Sequence, residues 1–126
     1  MKNRILFVDD EKAFLFASQK LLSRNGVEVH TAETKDEALA MIDKNEYDAV
    51  IADVRLTGVY GEEGLDILRY VKEHKPQTRV ILITGYGSPE IEKKAILLGA
   101  DFYFEKPVSY FVLKDALKKL GINYLS

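Results

Sequence analysis

Cysteine is absent from this sequence of 126 residues, and histidine occurs only twice. The lack of cysteine excludes a disulfide scaffold, a thiolate zinc site and a cysteine nucleophile. The two histidines, His30 and His74, are far apart in the chain, which also excludes a multi-histidine metal site.

An excess of positive charge and long apolar runs are missing as well. The 18 basic and 20 acidic residues give a net charge of −2, which provides no basic footprint for nucleic acid. The apolar run at 5–8 is too short for a signal peptide or a membrane span. We therefore expect a cytoplasmic protein that contacts no membrane and does not bind nucleic acid directly.

The residues that are present have the composition of one globular domain. Apolar residues make up 47% of the chain and charged residues 30%. A chain of this length buries roughly 65–70% of its unfolded surface, which is enough for a core without disulfides or metals. We expect residues 1–126 to form a single domain, with no output domain in this chain.

Short apolar runs alternate with helical patterns along the sequence. Strands are predicted at 5–8, 27–32, 49–52, 80–83 and 102–104. Helices are predicted at about 11–25, 35–45, 62–74, 89–98 and 109–120. Strands separated by such helices pair in parallel through right-handed crossovers. The pattern predicts an α/β fold of five βα units, doubly wound, with a parallel sheet and helices on both faces.

Capping residues indicate several helix ends. Side-chain N-caps are predicted at Thr34, Ser88 and Ser109. Glycines that end helices in the left-handed conformation are predicted at Gly26, Gly99 and Gly121.

Polar residues collect where the predicted strands end. Asp9 and Asp10 follow the first strand, Asp53 the third, Thr84 the fourth and Lys106 the fifth. The carboxyl ends of parallel strands meet at one edge, so we expect these side chains to converge. Three crowded carboxylates repel one another unless a cation lies between them, and Mg²⁺ prefers such ligands. With a lysine to attract phosphate, the set fits phosphoryl transfer.

Asp53 is the candidate phosphoryl acceptor in this set. It ends the central apolar strand alone, whereas Asp9 and Asp10 are adjacent and suited to holding a cation. A carboxylate can accept a phosphoryl group as an acyl phosphate. Charged residues often end strands simply because strands emerge into water there, so this inference depends on the whole set.

These motifs together resemble the receiver domain of two-component response regulators, along the whole chain. The matching pieces are Asp9-Asp10, Asp53, Thr84-Gly85, Gly99-Ala100-Asp101 and Lys106-Pro107. The resemblance implies a flavodoxin-like fold with strand order 2-1-3-4-5. It also implies a signalling switch that a sensor histidine kinase or phosphotransfer protein phosphorylates, changing its partner-binding face. Such a chain is not an enzyme in the ordinary sense, although it catalyses its own phosphotransfer and autodephosphorylation.

The resemblance further implies a role for each matching residue. Asp53 would be the phosphoacceptor. Mg²⁺ or Mn²⁺ would bind Asp9, Asp10, Asp53 and the backbone carbonyl of Arg55.

The remaining roles concern the phosphoryl group and the switch. Thr84 and Lys106 would bind phosphoryl oxygens, and the Lys106–Pro107 peptide would be cis. Thr84 and Tyr103 would form the switch pair, with the tyrosine turning inward as the threonine approaches the phosphate. Taken alone, Tyr103 also fits an ordinary surface tyrosine on an edge strand.

The loop after Asp53 departs from the family pattern. Leu56 and Thr57 replace the common Met-Pro, and the apolar spacing of the third helix indicates about three inserted residues within 59–63. That spacing favours Gly64 over Gly61 as the usual glycine before this helix. We expect a longer, more mobile loop.

The resemblance places Arg55 and Tyr86 at positions that flank the acceptor, and it implies that they shield the phosphate and prolong the phosphorylated state. Solvated side chains at both positions fit the sequence equally well.

Two surfaces are candidates for partners. Helical spacing places Phe14, Ala17 and Leu21, with Ser18 as a further candidate, on an inward or kinase-facing stripe, and Leu15 and Phe16 on the other side. Phe14 and Phe16 are the predicted kinase-docking residues. The resemblance also implies a candidate homodimer face, formed by the last two helices and the fifth strand.

Three other functions were weighed against the receiver. An aspartate-nucleophile magnesium phosphatase needs a second aspartate where Arg55 stands. A flavodoxin-like cofactor carrier needs a phosphate loop where Asp9-Asp10-Glu11 would repel phosphate. A degenerate receiver is disfavoured because all the key residues are present.

Overall fold

The computed structural model describes residues 3–24, 26–57 and 61–122. Its elements are β1 (Asn3–Val8), α1 (Lys12–Leu22), β2 (Val27–Ala32), α2 (Lys35–Lys44), β3 (Ala49–Asp53), α3 (Glu63–His74), β4 (Arg79–Thr84), α4 (Pro89–Leu97), β5 (Phe102–Glu105) and α5 (Tyr110–Lys119). The strands form one parallel sheet in the order β2-β1-β3-β4-β5. This confirms the predicted flavodoxin-like α/β fold.

The two faces of the sheet pack against different helices. On β1, Ile5 and Phe7 contribute to the core cluster beneath α1 and α5, and Leu6 and Val8 to the cluster beneath α2, α3 and α4. All four side chains are fully buried. A strand covered on both faces must be apolar at every position, which is why this run does not alternate.

Most predicted helix ends form as expected. The hydroxyls of Thr34, Ser88 and Ser109 each accept a backbone N–H three residues on. Gly99 and Gly121 have positive φ and follow α4 and α5. In both cases the glycine N–H and the next N–H donate to carbonyls of the last turn, which pairs carbonyls that the helix itself leaves free.

Two predictions on α1 are wrong. The helix ends at Leu22 because Ser23 is already extended, so Gly26 does not end it. Gly26 has a positive φ in the turn between Arg24 and Val27, whose backbones bond each other. Leu15, predicted on the outer side, is 5% exposed and lies in the core, since it shares a face with Leu22.

The start of α3 lies directly against β3. A Cβ atom at Gly64 would lie 2.3 Å from the carbonyl oxygen of Asp53, so only glycine fits this approach. This supports Gly64 as the glycine that enters the helix. The predicted insertion within 59–63 falls partly on 58–60, which lie outside the described residues.

None of the described helices has the length and apolar character that crossing a bilayer requires.

Candidate functional site

The carboxyl ends of the three central strands bring polar side chains into the core. Asp9 follows β1 directly, Asp53 ends β3 and Thr84 ends β4. Asp9 and Thr84 are fully buried and Asp53 is 5% exposed, whereas Asp10 is exposed. The apolar strands thus carry two carboxylates and a hydroxyl into a region with little water.

Lys106 joins the two buried carboxylates. Its Nζ lies 2.8 Å from Oδ2 of Asp9, 2.9 Å from Oδ2 of Asp53 and 3.4 Å from Oε1 of Glu11. The same ammonium lies 4.9 Å from the centre of the Phe14 ring. The Lys106–Pro107 peptide is cis. One cation therefore faces two buried carboxylates and a third, exposed one.

The second oxygens of the buried carboxylates accept backbone N–H groups. Oδ1 of Asp9 accepts from Glu11 and Oδ1 of Asp53 accepts from Arg55, each at 3.0 Å. Both bonds span two residues, so they set the direction in which the chain leaves each strand.

Burial and like charge oppose ionisation at this site. Burial raises the pKa of Asp53 above its ordinary value, although hydrogen bonds from Lys106 and the Arg55 N–H partly oppose this. Burial and the neighbouring Asp9 raise the pKa of Asp10. Burial alone would lower the pKa of Lys106, but its bonds to Asp9 and Asp53 raise it overall. The site thus stabilises a cation more readily than another anion.

The carboxylates fit a divalent cation. Asp9, Asp10 and Asp53 each offer an oxygen, and these oxygens lie within 4.8 Å of one another. Oxygen-only donors that carry excess negative charge suit Mg²⁺ or Mn²⁺.

Arg55 and Tyr86 stand at the mouth of the site. With Asp10, Asp53 and Lys106, among others, they line an open cavity of about 420 Å³. The Arg55 guanidinium donates to the carbonyls of Tyr86 and Gly61, not to a carboxylate. The Tyr86 side chain is 62% exposed. Both residues are therefore within reach of the cavity, with the arginine held at its edge.

Gly87, which the sequence patterns did not indicate, lies close to both Tyr103 and Thr84. A Cβ atom at Gly87 would lie 2.4 Å from the Tyr103 hydroxyl and 3.1 Å from the Thr84 methyl carbon. The tyrosine hydroxyl is buried, without a hydrogen-bond partner among the described residues. Glycine at 87 thus provides the space that this hydroxyl occupies; the run Gly85-Tyr86-Gly87 was the available signal.

Glu63 is a second residue that the sequence analysis missed. Its carboxylate accepts the Leu56 N–H at 3.1 Å and the Thr57 hydroxyl. Burial would raise its pKa, but these hydrogen bonds outweigh burial and lower it. Glu63 therefore holds the first part of the loop after Asp53 against the start of α3.

The two predicted docking residues differ in exposure. Phe14 is half-buried and packs edge-on against Phe7, with 5.5 Å between ring centres. Phe16 is 60% exposed, and the Lys20 ammonium lies 4.7 Å from its ring centre. Phe14 thus supports Lys106 from within, and Phe16 is the one available at the surface.

Comparison with known families gives a match over most of the chain. The family model described as response regulator receiver domain matches residues 5–118. This interval contains every residue of the cavity and of the Thr84–Tyr103 pair.

Individual relatives agree in fold and extent. Sporulation initiation phosphotransferase F of Bacillus subtilis is 29% identical over 119 residues, covering 94% of each chain. A CheY-like response regulator receiver domain protein from Methanospirillum hungatei JF-1 has a TM-score of 0.86 and 32% identity, covering 95% of this chain and 94% of that one.

A third similar structure carries a modified site. It is a response regulator protein from Burkholderia pseudomallei with a phosphorylated aspartic acid, a calcium ion and citrate, with a TM-score of 0.83 and 28% identity. The match covers 92% of this chain and 66% of that one. Other curated relatives are longer proteins, and the chain spans 62% of one and 27% of another.

Proposed function

The chain belongs to the response regulator receiver domain family, and from this premise we propose that it is a phosphorylation switch whose acceptor is Asp53. Receiver domains are signalling modules of two-component systems, so the coarse function follows from membership. The acceptor, the cation and the shielding residues are our assignments.

One observation carries the assignment of the acceptor. Of the three clustered carboxylates, Asp53 is the one that is both nearly buried and part of the cavity wall beside Arg55 and Lys106. Asp9 is completely buried behind it, and Asp10 is exposed. Of these three carboxylates, only Asp53 is thus positioned to attack the phosphorus of a phosphodonor that enters the cavity.

The proposed transfer uses a phosphohistidine donor. A carboxylate oxygen of Asp53 attacks phosphorus, the phosphorus–nitrogen bond breaks, and the leaving imidazole takes a proton from solvent. Lys106, whose ammonium already contacts Asp53, and the Thr84 hydroxyl bind phosphoryl oxygens. Such transfer depends mainly on positioning and charge neutralisation. Hydrolysis by water reverses the modification, which makes the chain a self-catalysing switch.

A divalent cation completes the site in this proposal. Asp9, Asp10, Asp53 and the backbone carbonyl of Arg55 would hold Mg²⁺ or Mn²⁺. When bound, the ion would neutralise the crowded carboxylates and the incoming phosphoryl oxygens. The similar Burkholderia pseudomallei structure contains both a phosphorylated aspartic acid and a calcium ion, which supports this proposal.

The rest of the proposal concerns lifetime, switching and partners. Arg55 and Tyr86 shield the phosphate, and Tyr103 responds to Thr84. A histidine kinase or phosphotransfer protein in the cytoplasm docks beside Phe14 and Phe16. The face of α4, β5 and α5 is available for a homodimer.

Intact-mass spectrometry tests the acceptor. Incubation with acetyl phosphate and MgCl₂ should add one phosphoryl group to the wild-type chain and none to Asp53→Asn. Asp115→Asn, an exposed aspartate on α5, is the matched control and should be modified normally. An adduct that persists in Asp53→Asn would contradict the assignment. Sustained turnover of phosphate esters would favour a phosphatase instead.

A further inference from the structure

The Arg55 side chain connects the loop after β3 to the loop after β4. Its Nε donates a 3.1 Å hydrogen bond to the Tyr86 carbonyl, and a terminal nitrogen donates a 3.2 Å bond to the Gly61 carbonyl. No carboxylate in the described part of the chain forms an ion pair with it. A full positive charge at the cavity mouth is therefore held by neutral carbonyls alone.

Both backbone polar groups of Tyr86, the N–H and the carbonyl, form hydrogen bonds. Its N–H donates to Oγ1 of Thr84 at 3.1 Å, and its carbonyl accepts from Arg55. Gly85 and Gly87 flank it, and glycine restrains the backbone least. The Tyr86 side chain is largely exposed, so these two backbone hydrogen bonds connect the residue to the rest of the chain.

The position of this loop determines the space around Tyr103. Gly87 lies so close to the Tyr103 hydroxyl that a Cβ there would be 2.4 Å away. The hydroxyl is buried in this position. A shift of the Tyr86 carbonyl moves the next residue, Gly87, and so changes the pocket in which the tyrosine lies.

A phosphoryl group on Asp53 would compete with the Tyr86 backbone for the Thr84 hydroxyl and for the Arg55 guanidinium. It carries roughly 1.5 to 2 negative charges near neutral pH and strong acceptor oxygens. A guanidinium binds such oxygens through two parallel hydrogen bonds, and it gains there an attraction between opposite charges that a neutral carbonyl does not offer. Arg55 and Asp53 line the same cavity, so a phosphoryl group on Asp53 would enter the space that the Arg55 side chain borders.

We propose that Arg55 is a positioning residue that clamps the β4–α4 loop in the unphosphorylated chain and releases the Tyr86 carbonyl when Asp53 carries a phosphoryl group. The proposal rests on the proposed function. It adds a second connection from the acceptor to Tyr103, through Arg55, Tyr86 and Gly87, beside the one through Thr84.

Two-dimensional ¹H–¹⁵N NMR of the full chain tests the clamp, with beryllofluoride and MgCl₂ as the phosphoryl mimic. In the wild type, the mimic should shift the Arg55 Nε–H signal and the Gly87 amide together.

Two substitutions separate the charge of Arg55 from its geometry. Without the mimic, Arg55→Gln should move the Gly87 amide part of the way toward its mimic-bound position. Arg55→Lys keeps the charge but cannot bridge both carbonyls, so it should give the same unclamped signal. Arg69→Gln removes an equivalent charge from the exposed face of α3 and should leave the Gly87 amide unchanged.

The outcomes separate the clamp from the proposed function. A normal wild-type response, combined with an unmoved Gly87 amide in Arg55→Gln, would overturn the clamp alone. A normal Gly87 amide position in Arg55→Lys would also overturn the clamp. A positive charge would then hold the loop without the two hydrogen bonds of the guanidinium. No response of the wild type to the mimic would overturn the proposed function and with it the release step.

Discussion

Asp101 at the amino end of the sheet and the aspartates at its carboxyl end differ in the number of cations that contact them. At the amino end, Asp101 accepts the Val80 N–H at 2.8 Å and lies within 3.5 Å of both Lys72 and Arg79. At the carboxyl end, two buried carboxylates, Asp9 and Asp53, share the single ammonium of Lys106. Around Asp101 the cations outnumber the carboxylate, whereas around Lys106 the carboxylates outnumber the cation.

This difference separates a structural ion pair from a functional site. Asp101 is neutralised by Lys72 and Arg79 of the same chain, so this cluster stabilises the fold without a ligand. Around Lys106 negative charge remains in excess, which favours a bound cation, and Asp10 adds to that charge without an ion pair among the described residues. Ligand binding at this end is favoured by the same repulsion that weakens the fold.

The largest expected effect is the loss of the shared cation. Lys106→Met, measured without Mg²⁺, leaves two buried carboxylates unpaired and should lower the free energy of unfolding by about 3 kcal/mol. Lys72→Met is the matched control, and it should cost less than about 1 kcal/mol because Asp101 keeps its other partners. Urea denaturation measures both variants. Equal losses would contradict the difference between the two ends.

The second largest effect is the loss of stability when Asp101, which has two cation partners, is replaced. Asp101→Asn removes a charge-assisted bond to the Val80 N–H and two ion pairs, so we expect a loss of about 2 kcal/mol in the free energy of unfolding. Differential scanning calorimetry should show a lower Tm. An unchanged or higher Tm would show that the amino end is not stabilised by this cluster.

The smallest expected effect is an increase in the free energy of unfolding when Asp10 is replaced. Asp10→Asn relieves repulsion with Asp9, and in the absence of Mg²⁺ it should raise the free energy of unfolding by about 0.5 kcal/mol, reduced by solvent screening of this exposed group. The same urea titration measures it. A destabilised Asp10→Asn variant would mean that the carboxyl end carries no surplus negative charge.

Sequence patterns predicted the parts of the site that depend on strand ends. Asp9, Asp53, Thr84 and Lys106 converge because each is tied to the end of an apolar strand, and parallel pairing brings those ends together.

Contacts between loops could not be predicted in the same way. The Arg55 bond to the Tyr86 carbonyl and the approach of Gly87 to Tyr103 depend on where two loops lie in space. Periodicity does not contain that information. The error at Leu15 has a local cause, since a shift of the helical stripe by one residue changes which side chain faces the core.

Stability as a function of Mg²⁺ concentration tests the central claim most directly. The unfolding free energy of the wild type should rise with MgCl₂, by about 1.4 kcal/mol per tenfold increase once the site is near saturation. Asp101→Asn should show the same rise from a lower baseline, and Asp10→Asn should show a much smaller one. A wild-type stability that does not depend on Mg²⁺, or a rise that Asp10→Asn retains in full, would contradict the account.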